Sequence, residues 1–310
     1  MANGGYTANL GLAPDSSEFY LAETFFERGG RGDRSDMVTV FDARTLEPET
    51  EIPLPKGRFL VVTKKYDAAL TTDGRYMLSF NMDPATTVSV VDVKNRKYIG
   101  EIQTPGCALI YPSGPTRFST ICADGSLLTA TFDQSGKAQT TQSEPFFDAV
   151  NDPVFEHPGF SKEDGKAFFV SYGGTVYPVD FSGDTPKIGE AWSLLSDEEK
   201  GEWWPGGWQL ASYHPRTNRL FVQMHEGEKW THKQAGEEVW VFDAGSKKRL
   251  HRIELEEPAL SSTVTLDDQP LLITLSEAQS ASVFDGTSYE HKGDISEIGI
   301  SPYLLYVVGE

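Results

Sequence analysis

Apolar residues along this chain alternate with polar ones, or run unbroken for a few positions, and Gly, Asp, Asn and Pro punctuate these runs. One pattern recurs. A short apolar run ends in Asp, as in "TVFD" to Asp42, "SVVD" to Asp92, "TATFD" to Asp133, "YPVD" to Asp180, "WVFD" to Asp243 and "SVFD" to Asp285. Ahead of each lies another strand-like run, such as "EFYLAE", "YMLSFN", "AFFVSY" or "RLFVQM", and behind several lies a turn and a further strand, as in "VKNRKYIGEIQ". Each unit therefore predicts four short antiparallel strands, a to d, and units of roughly 40–50 residues predict an all-β fold, a β-propeller of four-stranded blades. Six repeats are countable, and the terminal fragment "EIGISPYLLYVVGE" has room for one or two strands more. The pattern predicts a single β-propeller domain over residues 1–310, closed by a terminal strand joining the first or last blade, because an open ring leaves sheet edges unpaired. The repeated Asp opens the c–d turn, where its carboxylate takes local backbone amides. One short helix is predicted, "SLLSDEEKGEWW", Ser193–Trp204.

In such a blade the b–c and d–a connections emerge at one end and the a–b and c–d turns at the other. The latter turns are short and generic, whereas the former include long loops, which are usually functional when ordered. The first b–c loop is "FFERGGRGDRSD", Phe25–Asp36; the fifth is "MHEGEKWTHKQAGEE", Met224–Glu238; and "EWWPGGWQ" enters the fifth unit. Candidate acid/base groups are Glu27, His225 and His232, since imidazole titrates near neutrality and a carboxylate can orient it. Candidate substrate- or partner-binding residues are Phe25, Phe26, Arg28, Arg31, Arg34, Trp203, Trp204, Trp208, Trp230 and Lys233. The three tryptophans 203, 204 and 208 read equally as a ligand wall or as a packing cluster.

Composition narrows the partners. Among 310 residues, 27 Lys and Arg face 46 Asp and Glu, a formal charge of −19, which argues against nucleic acid and anionic membrane as partners, because both need a basic footprint. No run is long and apolar enough to span a bilayer, and the N-terminus lacks the pattern of a signal peptide. "HEGEKWTH" has the wrong spacing and setting for a zinc-binding H-E-x-x-H helix; dinucleotide, P-loop and serine-hydrolase motifs are lacking, and "RGD" is a chance string. No metal site is expected. The two cysteines, Cys107 and Cys122, fall on adjacent strands of the third unit and read either as a disulfide or as two buried thiols.

Read together, "ERGGRGDRSDMVTVFDARTLE", "PGCALIYPSGPTRFSTICADGSLLT", "FVSYGGTVYPVDFSGD", "WSLLSDEEK…WWPGGWQL" and "THKQAGEEVWVFD" resemble the large (heavy) subunit of quinoprotein amine dehydrogenases. The aromatic amine dehydrogenase branch is the nearer likeness and methylamine dehydrogenase the next, in the same order from about Asn9 to the C-terminus. The resemblance implies a seven-bladed propeller in a periplasmic α2β2 oxidoreductase. It implies a tryptophan tryptophylquinone cofactor on a partner small subunit, none in this chain, and a disulfide between Cys107 and Cys122. Against the family pattern the chain starts at the second blade, without signal peptide or first blade, and that blade's b–c loop is the one that places an aromatic side chain at the active-site mouth.

Two functional readings follow. In one, the chain is a scaffold that docks the quinone-bearing small subunit and shapes a channel for an amine. In the other it is a standalone, cytoplasmic, cofactor-free propeller enzyme, a lyase, isomerase or cyclase. It would act on a small, amine or aromatic, substrate through Glu27, His225 and His232.

Overall fold

The computed structural model describes residues 5–309. Two compact units divide the chain, one over Met1–Pro145 and the other over Phe146–Val308. Both are built from antiparallel four-stranded repeats, the blade unit of a β-propeller, as the periodicity predicts. The first unit holds three such sheets. Their strands are Tyr6–Leu12, Glu18–Phe26, Arg34–Asp42 and Pro48–Leu54; then Ala68–Leu70, Tyr76–Asn81, Thr87–Asp92 and Lys97–Gln103; then Cys107–Gly114, Arg117–Cys122, Leu127–Phe132 and Ala138–Gln142. The second unit holds a sheet that begins at Gly159–Phe160 and continues through Lys166–Val170 and Thr175–Asp180. It also holds an eight-stranded sheet that carries two repeats. The link between those two repeats is one 17-residue strand, Lys248–Val264, which pairs with Gly236–Asp243 along its first part and with Leu271–Ser276 along its second.

Burial explains the strand patterns. Thr87–Asp92 ("TVSVVD") is buried at every position because its sheet is covered on both faces. The fourth strand of the third sheet, Ala138–Gln142 ("AQTTQ"), is mostly exposed and polar, as an outer edge should be. Apolar side chains between successive sheets form the cores. Tyr76, Val88, Ile110, Phe118 and Phe132 pack together in the first unit, and Phe168, Trp192, Tyr213, Trp240 and Phe242 in the second.

The Asp that closes each third strand behaves as the sequence predicts. Asp42 accepts from the amides of Arg44 and Thr45, Asp92 from Asn95, Asp133 from Ser135 and Lys137, Asp180 from Ser182, Asp243 from Ser246 and Asp285 from Thr287 and Ser288. Bonds led by those from Thr45, Ser135, Ser182 and Ser246 hold four of these carboxyls below their ordinary 3.8. At Asp92 burial works the other way, and the Asn95 and Arg75 bonds outweigh it. The Ser288 and Thr287 amides hold Asp285 at about 2. A carboxyl whose folded value lies below its unfolded value stabilises the fold above the unfolded value and stops doing so as it protonates. The melting temperature is therefore expected to be flat above about pH 5 and to fall between about pH 4 and pH 2. A melt that stays flat through that window would show that the turns contribute nothing.

Three expectations need correction or completion. Ser193–Trp204 is not a helix. Its residues form turns closed by Glu199 N to Ser196 O and Trp203 N to Glu199 O, and Trp203–Pro205 is a short strand on Glu226, His225 and Met224. Gly201 at φ +89° breaks the helical path, and burial of Leu194, Leu195 and Trp203 fixes the segment from outside. The described part of the terminal fragment, after Ile295, carries no strand. Cys107 and Cys122 are joined by a disulfide across directly paired positions of adjacent strands. Among the described residues no helix is long and apolar enough to cross a membrane.

Candidate functional site

In the second unit the structure brings two of the flagged stretches into contact. Strand Arg219–Glu226 runs into loop 227–235, and strand Gly236–Asp243 leaves it. Trp203–Pro205 lies beside Glu226–Met224. Trp204 Nε1 donates to Gly227 O at 3.0 Å, and Gly207 N donates to His232 O at 3.2 Å. His225 is fully buried where these stretches meet. Its Nδ1 donates to Glu226 O at 2.9 Å, while Nε2 lies 3.5 Å from Thr231 Oγ1, whose proton goes to Glu228 O at 2.6 Å. Two glycines bracket the ring. A Cβ on Gly206 would sit 2.4 Å from His225 Cδ2, and one on Gly227 would sit 2.9 Å from its Cε1. The sequence needs "PGG" and "HEG" here because a side chain at Gly206 or Gly227 would run into the imidazole.

His232 has a different setting. Its ring stacks on Tyr172 with centroids 4.0 Å apart, and Phe155 packs on the same tyrosine at 4.6 Å. Trp230 meets Tyr172 edge-on at 6.2 Å, half exposed and with φ +73°, an uncommon conformation for a bulky residue. Lys229 Nζ lies 4.9 Å above the Trp230 ring. Burial first, and then the neighbouring Lys233 charge, lowers the His232 pKa from its ordinary 6.5, against a smaller opposing pull from Glu156. These effects favour the neutral imidazole, with the Trp230 backbone pulling weakly the other way, and its buried Nδ1 makes no hydrogen bond of good geometry among the described residues. A neutral imidazole stacked on a tyrosine can take up a proton or hold an amine N–H.

The tryptophans divide. Trp203 is core, 5.3 Å from Trp240. Trp208 is half-buried, near His157 and Tyr303, with His157 Nδ1 2.8 Å from its carbonyl oxygen. Lys233 is exposed. Sequence reasoning passed over Tyr172, Phe155 and Glu156. Tyr172 could have been found, since "SYGG" places an aromatic at a b–c turn of the same kind as Phe25–Asp36 and Met224–Glu238.

The first loop belongs to the N-terminal unit. It is shorter than its sequence suggests, because Phe25 and Phe26 end one strand and Arg34, Ser35 and Asp36 begin the next. Arg34 is committed to the fold. Its Nε bonds Asp36 at 2.8 Å, and its Nη2 bonds Arg58 O at 2.7 Å. Glu27, Arg28 and Arg31 are exposed on the connecting residues. Among the described residues no group of three or more His, Cys, Asp or Glu is placed to hold a metal.

The model of the methylamine dehydrogenase heavy chain family matches residues 1–308. The chain belongs to the methylamine dehydrogenase heavy chain family. Relatives in that family include the methylamine dehydrogenase heavy chain of Methylorubrum extorquens, 34% identical over 98% of this chain and 75% of the relative. That of Paracoccus versutus is 33% identical over 98% and 72%, and that of Methylobacillus flagellatus 31% identical over 98% and 76%. Heavy-chain membership agrees with the four-stranded antiparallel repeats, which are blades of the family's β-propeller.

Proposed function

We propose that this chain serves as the large, scaffolding subunit of an amine dehydrogenase. It docks a small subunit bearing tryptophan tryptophylquinone and helps to shape the path of the amine. The observation that carries this reading is the match to the heavy-chain family from residue 1 to residue 308. The loop cluster of the second unit supports it. Tyr172, Trp230 and His232 offer aromatic faces beside Glu156, and aromatic faces with a carboxylate nearby suit an ammonium group. The quinone is the partner's, so the redox chemistry is supplied there. This chain's residues position the substrate, exclude water and move protons at most. Work would take place in the periplasm.

The standalone reading, in which the chain is itself a cofactor-free enzyme, has one observation in its favour, a His232 imidazole biased to its neutral form, whose Nδ1 makes no hydrogen bond of good geometry among the described residues. Mixing the purified chain with a methylamine dehydrogenase light chain separates the two. The scaffold reading expects co-elution in size exclusion and amine-dependent dye reduction by the mixture alone. No complex, together with turnover by the lone chain that His232→Ala abolishes, would replace it with the second reading.

A further inference from the structure

A second site lies in the N-terminal unit, apart from the loop cluster used above. A pocket of about 410 Å³ is lined by Gly5, Tyr6, Phe25, Phe26 and Gly29. That volume lies in the range of small-molecule sites. Tyr6 and Phe25 keep 50% and 38% of their surface exposed, so these rings are not spent on the core.

The backbone is bent to make this pocket. Tyr6 pairs with Thr24, but the next pair is Asn9 with Ala22, so a bulge falls between them. Within the bulge Thr7 has φ +43°, which is costly for a β-branched residue. Bulges at strand ends re-aim side chains, and here Tyr6 ends up edge-to-face with Phe26, centroids 5.5 Å apart at 87°. A buried guanidinium holds the bulge. Arg58, 3% exposed, donates from Nη2 to Thr7 O and to Asn9 Oδ1, each at 2.9 Å, and from Nη1 to Thr24 Oγ1 at 2.9 Å. Asp36 anchors that arginine's backbone by accepting from Gly57 N and Arg58 N.

Two arginines stand on the loop beside the pocket, balanced in number by the loop's own acids, Glu27 and Asp33. Arg28 N donates to Arg31 O at 2.8 Å, so the two arginines are the corners of one tight turn. Gly29, at φ +65°, sits between them and also lines the pocket. Neither guanidinium forms an ion pair among the described residues, in a chain of net charge −19, whereas Arg34 three residues on is fully engaged. Glu27 N bonds Asp33 O at the loop's base, and the Glu27 carboxylate turns back over Gly32 on the side of Arg28 Nε.

We propose that this pocket binds a small aromatic carboxylate. Its ring lies among Tyr6, Phe25 and Phe26, and its carboxylate faces the Arg28–Arg31 turn. A flat ring finds two edge or face partners there, and a guanidinium is the side chain best matched to a carboxylate. An amine of the same shape cannot use either guanidinium, so the site's preference is the reverse of that proposed for the loop cluster.

The test uses the intact chain alone, with phenylacetate, phenethylamine and acetate titrated by calorimetry. Phenylacetate is expected to bind with a Kd on the order of 1 mM or tighter, with the other two at least about tenfold weaker. The double variant Arg28→Gln, Arg31→Gln should lose about tenfold for phenylacetate, and Tyr6→Ala should weaken it as well. These side chains are exposed, so unchanged melting temperatures confirm intact folding. The proposal fails if phenylacetate gives no heat, if phenethylamine binds as tightly, or if the double arginine variant binds phenylacetate unchanged. None of these outcomes depends on a light chain, so the docking reading stands or falls separately.

Discussion

A Gly206→Ala chain is expected to melt roughly 5–10 °C below the parent. The added Cβ would lie 2.4 Å from His225 Cδ2 and 2.5 Å from Gln234 O. The second contact decides the size of the effect. A flexible side chain could swing away, but a backbone oxygen moves only with its loop, and the imidazole cannot retreat because Gly227 is packed against its other edge. Overpacking of this kind costs about 3 kcal/mol. Adding His225→Ala should recover only part of the loss, since the clash with Gln234 O survives. Equal melting temperatures for Gly206→Ala and the parent would mean that the glycine bracket is loose. The same loop carries His232 and Trp230, so binding at the cluster should weaken along with stability.

The second large effect lies where Glu238 meets Arg252. Glu238 is buried and accepts three bonds: Arg252 Nε at 2.6 Å, Arg252 Nη2 at 2.8 Å and Trp240 Nε1 at 2.6 Å. The guanidinium of Arg252 also lies over Trp203 at 4.4 Å and Trp240 at 4.8 Å, and Arg249 covers Trp240 at 4.2 Å while pairing with Glu199 at 2.7 Å. Arg252→Ala removes the carboxylate's main partner and uncovers the Trp203 ring, while Arg249 still covers Trp240. The arginine is about one-third exposed, so water offsets part of the loss, and about 2–4 kcal/mol is expected in urea unfolding. The double variant Glu238→Gln, Arg252→Met should cost less than Arg252→Ala, because no charge is left unpaired and the stem still covers the rings. If the double variant is the worse of the two, the pair is not what holds this corner.

Whatever is local in this fold was legible in the sequence. Asp42 and its five counterparts bond amides two to four residues on, so the turn is encoded in a few adjacent letters. Cys107 and Cys122 face each other across one hairpin, and the resemblance supplied their pairing. Distant contacts were not legible. "SLLSDEEKGEWW" has the composition of a helix, but Trp203 is claimed by the strand at Glu226 and by Trp240. His225 reads as a reactive residue in a loop, and only the approach of Gly206, nineteen positions earlier, shows that its ring is enclosed. Arg34 reads as one of three like arginines, and Asp36 together with Arg58 O sets it apart from Arg28 and Arg31. The residue that stacks on His232, Tyr172, stands in a four-letter turn sixty positions away.

The strand Lys248–Val264 serves two repeats with one uninterrupted backbone, and Ala259 at its middle pairs with Gly236 on one side and Ser276 on the other. In repeat architectures each unit contacts only its neighbours, and a terminal unit can fray by itself. Here the last repeat is welded to the one before it. Pulling it away would mean bending that strand and breaking its ladder hydrogen bonds near Ala259 as well as parting two surfaces. The two repeats should therefore exchange their amide protons with solvent as one body, and a nick near Pro258 should free the last repeat where a nick in any surface turn would not.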